Sequence, residues 1–374
     1  MAYTHAPPLF ATLGVAFAYS EGVRGTLLRG SAYLENSRPN RHTNDSPASN
    51  TDITMASDAP APQPLDPDRP IAPSVVVLPA VSFDPPLDEL APWLARLPID
   101  RSYSVPGTDA PVYVTDGGSV AVTTTGMGKA PAATTVAALN RADGFDVSST
   151  YWLSAGIAGA SPQRAALGSV FVADAIVDWD RKHRWDPTEL APSAGDTGDT
   201  AAAESTTGDV NAVEPLAYLP EGSIHEPNPA LVEDARDAAA GVELADRTDV
   251  REYQERYPAA PDHGPRIALG TTVTSDEFWH GTAVAREVDA LCEAYGVDPY
   301  ATTQMEDAAT AAALARFDAF DRHVSVRAVA NYDRPAPGES VHDSFEGTGA
   351  SIAQATENAA RVGYAVVESL GERR

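Results

Sequence analysis

The feature that most limits the fold is a repeated handover. Runs of β-branched or small apolar residues stop at a Gly- or Pro-containing turn, and a helical pattern follows. Ser74-Val75-Val76-Val77-Leu78 is the first such run, a buried strand by its β-branched content. Phe83-Asp84-Pro85-Pro86 breaks it, and Leu87, Leu90, Trp93, Leu94 and Leu97 recur at helical spacing. Val112 to Thr115 and Val120 to Thr125 flank Asp116-Gly117-Gly118, which predicts a hairpin. The second hairpin strand meets Gly126-Met127-Gly128-Lys129, then a small-residue helix, Ala132 to Leu139. Tyr151 to Ala155 is a strand ending in Gly156-Ile157-Ala158-Gly159, and Val170 to Val177 is another. Helices are expected over Pro229 to Ala239 and Val284 to Tyr295, with a strand at Ile267 to Val273. Ile352, Ala355, Ala359, Val362, Val366 and Leu370 mark a closing amphipathic helix. Strands alternating with helices argue for a three-layer αβα sandwich with a mixed central sheet, in one main domain.

Charge narrows the function. The formal net charge is −27. Residues 1–54 hold four acidic residues and four arginines, so the excess lies wholly beyond Thr54. Lysine appears only at Lys129 and Lys182. A surface rich in carboxylates and poor in Lys suits solubility at high salt, so a halophilic source is expected. Such a chain is a poor partner for nucleic acid, whose binding depends on neutralising phosphates, and anionic membranes would repel it. There is no apolar run long enough for a membrane span. Cys292 is the single cysteine and falls on the apolar face of Val284, Val288, Leu291 and Tyr295, which predicts a buried, inert thiol.

Residues 1–70 are expected to be disordered, with Met55 the start of the true protein and 1–54 a gene-start error. The apolar stretch Pro8 to Tyr19 has no Lys or Arg before it, unlike a secretion signal, so a cytoplasmic location is expected and export is the alternative. A second polar, acidic stretch around 190–215 is expected to be an inserted surface loop.

The segment Thr303 to Pro335 organises the rest. Gln304-Met305-Glu306-Asp307-Ala308-Ala309 feeds a helix, and Val326 to Tyr332 is a buried strand ending at Asn331, Asp333 and Pro335. Ligands of α/β sheets bind beyond the carboxyl ends of strands, so Glu306, Asn331 and Asp333 are expected to line one crevice. Taken alone, Glu306 is also an ordinary dipole partner at a helix start, and Asn331 and Asp333 are also ordinary turn formers. The Phe278-Trp279 pair could stack a flat base or simply pack. Gly126-Met127-Gly128-Lys129 is a strand-to-helix turn whose amides suit an anion, or only a tight turn.

Together and in this order these elements resemble the purine nucleoside permease family, within the nucleoside phosphorylase and nucleosidase superfamily. The likeness runs over roughly residues 74–370. It rests on Thr125-Gly126-Met127-Gly128-Lys129, Ala155-Gly156-Ile157-Ala158-Gly159, Leu167-Gly168-Ser169-Val170, Arg251 to Tyr253, Asp276 to Gly281, Gln304 to Ala308 and Arg327 to Pro335. The resemblance implies a purine nucleoside or purine base as ligand and cleavage of its N-glycosidic bond, by phosphate or by water. Glu306 would then accept hydrogen bonds from the ribose hydroxyls, with Met305 under the sugar. Phe278 would stack on the base beside Trp279, and Asn331, or Asp333, would meet the purine N7. Gly128, Lys129 and Gly156 would lie in the anion-binding turns, with Arg251 a further anion contact, and Asp84 would activate water. Ile157 stands where many of these phosphorylases place a phosphate-binding Ser. No cofactor or metal is implied, phosphate is an optional co-substrate, and a homo-oligomer is expected. A nucleoside-binding protein that assists transmembrane transport is the alternative activity, and an α/β protein without a ligand is the third.

Overall fold

The computed structural model describes residues 59–186, 189, 212–219, 221–297 and 299–373. The expectations for residues 1–58 and for most of the acidic insertion lie outside them. Residues 59–70 were expected to be disordered. Instead Gln63–Pro64 (β1) pairs in parallel with Ile99–Ser104 (β3), and Ser102 Oγ donates to Pro60 O over 2.7 Å.

Val75–Leu78 (β2) explains the layering. Val75 and Val77 pack in one apolar cluster with Trp93 and Val362, while Val76 and Leu78 pack in another with Val136 and Leu139. Alternate side chains of a strand face opposite ways, so a run apolar at every position needs cover on both faces. One cover is Ala91–Arg96 (α1), Pro229–Ala239 (α3) and Gly349–Gly371 (α8); the other includes Lys129–Arg141 (α2) and Asp307–Ala315 (α6). The helix expected from Leu87 forms only over α1, so Glu89 and Leu90 precede it and both are buried. Asn228 caps α3, with Pro229 at its first position, and a Thr348–Ser351 capping box starts α8.

Val112–Thr115 (β4) and Val120–Val122 (β5) form the expected antiparallel hairpin. Tyr151–Ala160 (β6) continues through Gly156 and Gly159, where a turn was expected. Val170–Asp178 (β7) follows, then Lys182–Arg184 (β8) and Val213–Pro215 (β9), a small separate ribbon. The insertion expected to reach 215 thus ends in a strand. Next come Ile224–His225 (β10), Thr248–Gln254 (α4), Ile267–Thr274 (β11), Thr282–Tyr295 (α5), Tyr300–Gln304 (β12), His323–Tyr332 (β13) and Val341–Ser344 (α7). Cys292 is buried on α5 among Val288, Leu291 and Tyr300.

The sheet is mixed, as expected, but it is not simply open. β6 pairs with β13, β13 with β7, β7 with β11, β11 with β12, and β12 returns to β6 at Thr303 and Gly159. These strands close a ring, and β2, β5, β4, β3 and β1 extend from β6. The ring brings the ends of β6, β11, β12 and β13 together. No described helix is long and apolar enough to cross a membrane.

Candidate functional site

A narrow cleft opens where β6, β11, β12 and β13 end. Of the residues singled out from sequence, Phe278, Trp279, Met305, Asn331 and Asp333 line it, with Gly159 and Thr303 between them. Phe278 is 60% exposed and meets Phe345 edge-on, with ring centroids 5.9 Å apart. Trp279 packs partly into the apolar cluster of α5. Asn331 Nδ2 donates to Phe345 O at 3.0 Å and to Tyr332 O at 3.2 Å. Asp333 is buried; Arg334 Nε donates to one of its oxygens at 2.6 Å and Tyr300 OH to the other at 2.5 Å. An Asp so engaged is poorly placed as a free proton donor.

Glu306 does not line this cleft. It follows Met305 inward, and its carboxylate accepts from Gly128 N at 3.0 Å and reaches Arg327 Nη1 at 3.4 Å. Its backbone is fixed from below. Gln304 Oε1 accepts from the N–H groups of Glu306 and Asp307, while Gln304 Nε2 donates to Thr274 Oγ1 over 2.7 Å. Burial pushes the Glu306 carboxyl up to about 7, against the pull of Arg327 and the Gly128 N–H, and the nearby Glu89 and Asp307 charges add to the rise.

Arg327 is the hub. It is 2% exposed and pairs with Asp307 through Nη2 at 2.5 Å and Nε at 3.0 Å. Ser325 Oγ also donates to Asp307, over 2.6 Å. Burial alone would raise the Asp307 carboxyl, but Arg327 outweighs it and holds the group below the usual range.

Glu89 was not singled out from sequence, and the geometry makes it a third carboxylate of this cluster. It accepts from Ala80 N at 2.7 Å, Val81 N at 3.2 Å and Ile157 N at 2.6 Å. Burial still pushes its carboxyl up, against those donors and Arg327. Gly156 shows how close these groups lie. A Cβ there would sit 2.6 Å from Glu89 Oε1 and 3.1 Å from Arg327 Nη1, so only glycine fits. No local pattern marks Glu89: it precedes α1, and its inward position is set by the amides of Ala80, Val81 and Ile157.

The remaining candidates go elsewhere. Asp84 is exposed in the loop after β2, and the inward carboxylate of that loop is Glu89. Gly128 takes φ of +93° before α2, yet its amide and that of Lys129 already donate to carboxylates, of Glu306 and of Asp276 at 2.6 Å. Lys129 Nζ pairs with Asp178 at 2.6 Å and Asp180 at 3.2 Å, which leaves it no free charge for an external anion. Gly156 lies within β6 rather than in an anion-binding turn. Arg251 is spent on Asp246 at 2.7 Å.

The chain belongs to the purine nucleoside permease family, whose model matches residues 72–373. It is 33% identical to a probable purine nucleoside permease of Schizosaccharomyces pombe over 57% of this chain, and spans 64% of that protein's length. It is 25% identical to a purine nucleoside permease of Candida albicans over 75% of this chain and 72% of the other. Among solved structures it is similar to Helicobacter pylori futalosine hydrolase, at TM-score 0.50 and 18% identity, covering 79% of this chain and 97% of the other. It is equally similar, at TM-score 0.50 and 17% identity, to the 5′-methylthioadenosine/S-adenosylhomocysteine nucleosidase of that organism, covering 79% and 98%. At such identities these two structures speak for the fold alone.

Proposed function

We propose that this chain binds a purine nucleoside in the cleft and cleaves its N-glycosidic bond with water. The observation that carries the reading is the buried cluster of Glu306, Glu89 and Asp307 on Arg327, directly behind Met305. As the bond to the base breaks, the sugar becomes oxocarbenium-like, and fixed carboxylates stabilise the charge it develops. Glu306 stands behind Met305 and not in the cleft wall, so in this reading it acts as one of these fixed charges and not by contact with the ribose hydroxyls. Glu89 is the second carboxylate of the cluster; held by three backbone amides it acts as a fixed charge, while the attacking water gives its proton to solvent and the departing purine takes one from it.

Water is favoured over phosphate by where the backbone donors point. The amides of Gly128 and Lys129 at the start of α2, and those of Ala80, Val81 and Ile157, already hold carboxylates. A phosphate dianion would have to displace one of them and face the others. The test is adenosine with and without phosphate, following free base and the sugar product. Free ribose at a rate indifferent to phosphate is expected. Base release only with phosphate, as ribose 1-phosphate, would replace hydrolysis by phosphorolysis, and no base under either condition would end the cleavage reading.

A second reading is a nucleoside-binding protein that assists transport. Its support is the description shared by the matched family and the two fungal relatives. Nucleoside binding without base release would favour it.

A further inference from the structure

We infer that Lys182 is a carbonyl-reactive amine, a site at which this chain takes a small aldehyde as a Schiff base. The inference does not depend on the nucleoside reading above. The chain has two lysines, and their surroundings differ in kind. Lys129 Nζ donates to both oxygens of Asp178, at 2.6 and 2.8 Å, and to Asp180 at 3.2 Å. All three of its N–H groups thus face carboxylate oxygens, and no lone pair is free. Burial works against that charge, but the Asp178 and Asp180 carboxylates outweigh it and hold the group above its ordinary value.

Lys182 is held by uncharged groups instead. Partly buried on β8, it places Nζ 3.5 Å from the centre of the Trp179 ring and donates to the Trp179 carbonyl at 2.6 Å. No ion pair joins it to a carboxylate among the described residues. Trp179 is wholly buried, so one side of the amine faces an apolar surface rather than water. Arg184, two positions on and therefore on the same face of the strand, also lies over that ring, 5.7 Å from its centre. Desolvation against an apolar wall and a neighbouring cation are two devices that free a lysine's lone pair. Burial first and Arg184 second pull the group down to about 8, against the longer-range charges of Asp180, Glu277 and Glu287. The neutral Nζ attacks the aldehyde carbon. The carbonyl oxygen takes both amine hydrogens and leaves as water, and a C=N bond remains; no oxidant, reductant or metal is consumed. Partial exposure admits short aldehydes, open-chain aldoses among them.

The experiment is labelling of the folded chain with glycolaldehyde and cyanoborohydride over a range of pH, read by peptide mass spectrometry. Rates are divided by that of Nα-acetyl-lysine in the same tube, which removes the reagents' own pH dependence. Lys182 is expected to exceed Lys129 by about tenfold or more, because a gap of one in pKa changes the neutral fraction about tenfold. Its ratio to the standard should fall as pH rises through about 8, where Lys182 is already neutral and the standard is still losing protons. In Arg184→Gln that fall should move to higher pH, which a difference in access alone would not produce. A Lys182 rate no greater than that of Lys129, or a ratio to the standard that does not change with pH, overturns the inference.

Discussion

The two halves of the site are built on opposite principles. The charged side is buried and saturated: Arg327, Glu306, Asp307 and Glu89 are each at most 5% exposed and are held by one another or by backbone amides. The cleft side is open, with Phe278 60% exposed on the loop after β11 and Asn331, at the end of β13, fastened to the Phe345 carbonyl. A set of interlocked charges cannot be adjusted piecemeal, because removing one member strands the others in a low-dielectric interior. Loop residues such as Phe278 can change at small cost to the fold. The half that carries the charge is thus fixed together with the core, while the loop part of the cleft is free to differ.

Arg327→Met should break that contrast most severely. It takes the ion-pair partner from two buried carboxylates, Asp307 and Glu306, and a loss of about 3–5 kcal/mol of stability is expected in denaturant unfolding; a loss below about 1 kcal/mol would show that the cluster is not an interlocked unit. Glu306→Gln comes next. The side-chain oxygen can still accept from Gly128 N, but the charge is gone, so base release should fall about 10²-fold in a steady-state assay. The same variant sharpens the pH behaviour. Glu306 is raised in the folded chain, to about 7 from 4.5, so the folded state holds a proton that the unfolded chain has already lost. Its contribution to stability is complete below about pH 4.5 and is lost as pH rises through about 7. Base release should rise over the same range as the carboxylate ionises, and Glu306→Gln should flatten both profiles.

The cleft side should respond more gently. Phe278→Ala is expected to weaken nucleoside binding up to about tenfold, roughly one stacking interaction, and to leave the melting temperature unchanged, as calorimetry and thermal unfolding would report. Asp84→Asn should be the smallest change, within about 0.5 kcal/mol in stability and without effect on base release.

Much of the frame was legible because it rests on local patterns. The β2 run, the 112–122 hairpin and α3 follow from residue order alone. β6 was read too short because Gly156 and Gly159 look like a turn, when Gly156 is small to admit Glu89 and Arg327. β12 is not legible as a strand, since Tyr300-Ala301-Thr302-Thr303-Gln304 is short and polar and Thr302 is buried only because its hydroxyl bonds Thr272 of β11. Five of the candidate residues do meet in one cleft. The partnership of Glu89, Glu306 and Arg327 was not legible, because it joins residues far apart in the chain through distances that no local pattern encodes.

The carboxylate seated on the Gly128 amide has a consequence for the surroundings in which the protein can work. An empty cradle of N–H groups would be filled by whichever small anion is most abundant outside, and its state would follow the composition of the medium. Glu306 is tethered there at an effective concentration that dissolved chloride or sulfate cannot readily match. The pocket brings its own counter-ion with it, so its internal hydrogen bonding should depend little on the salt around it.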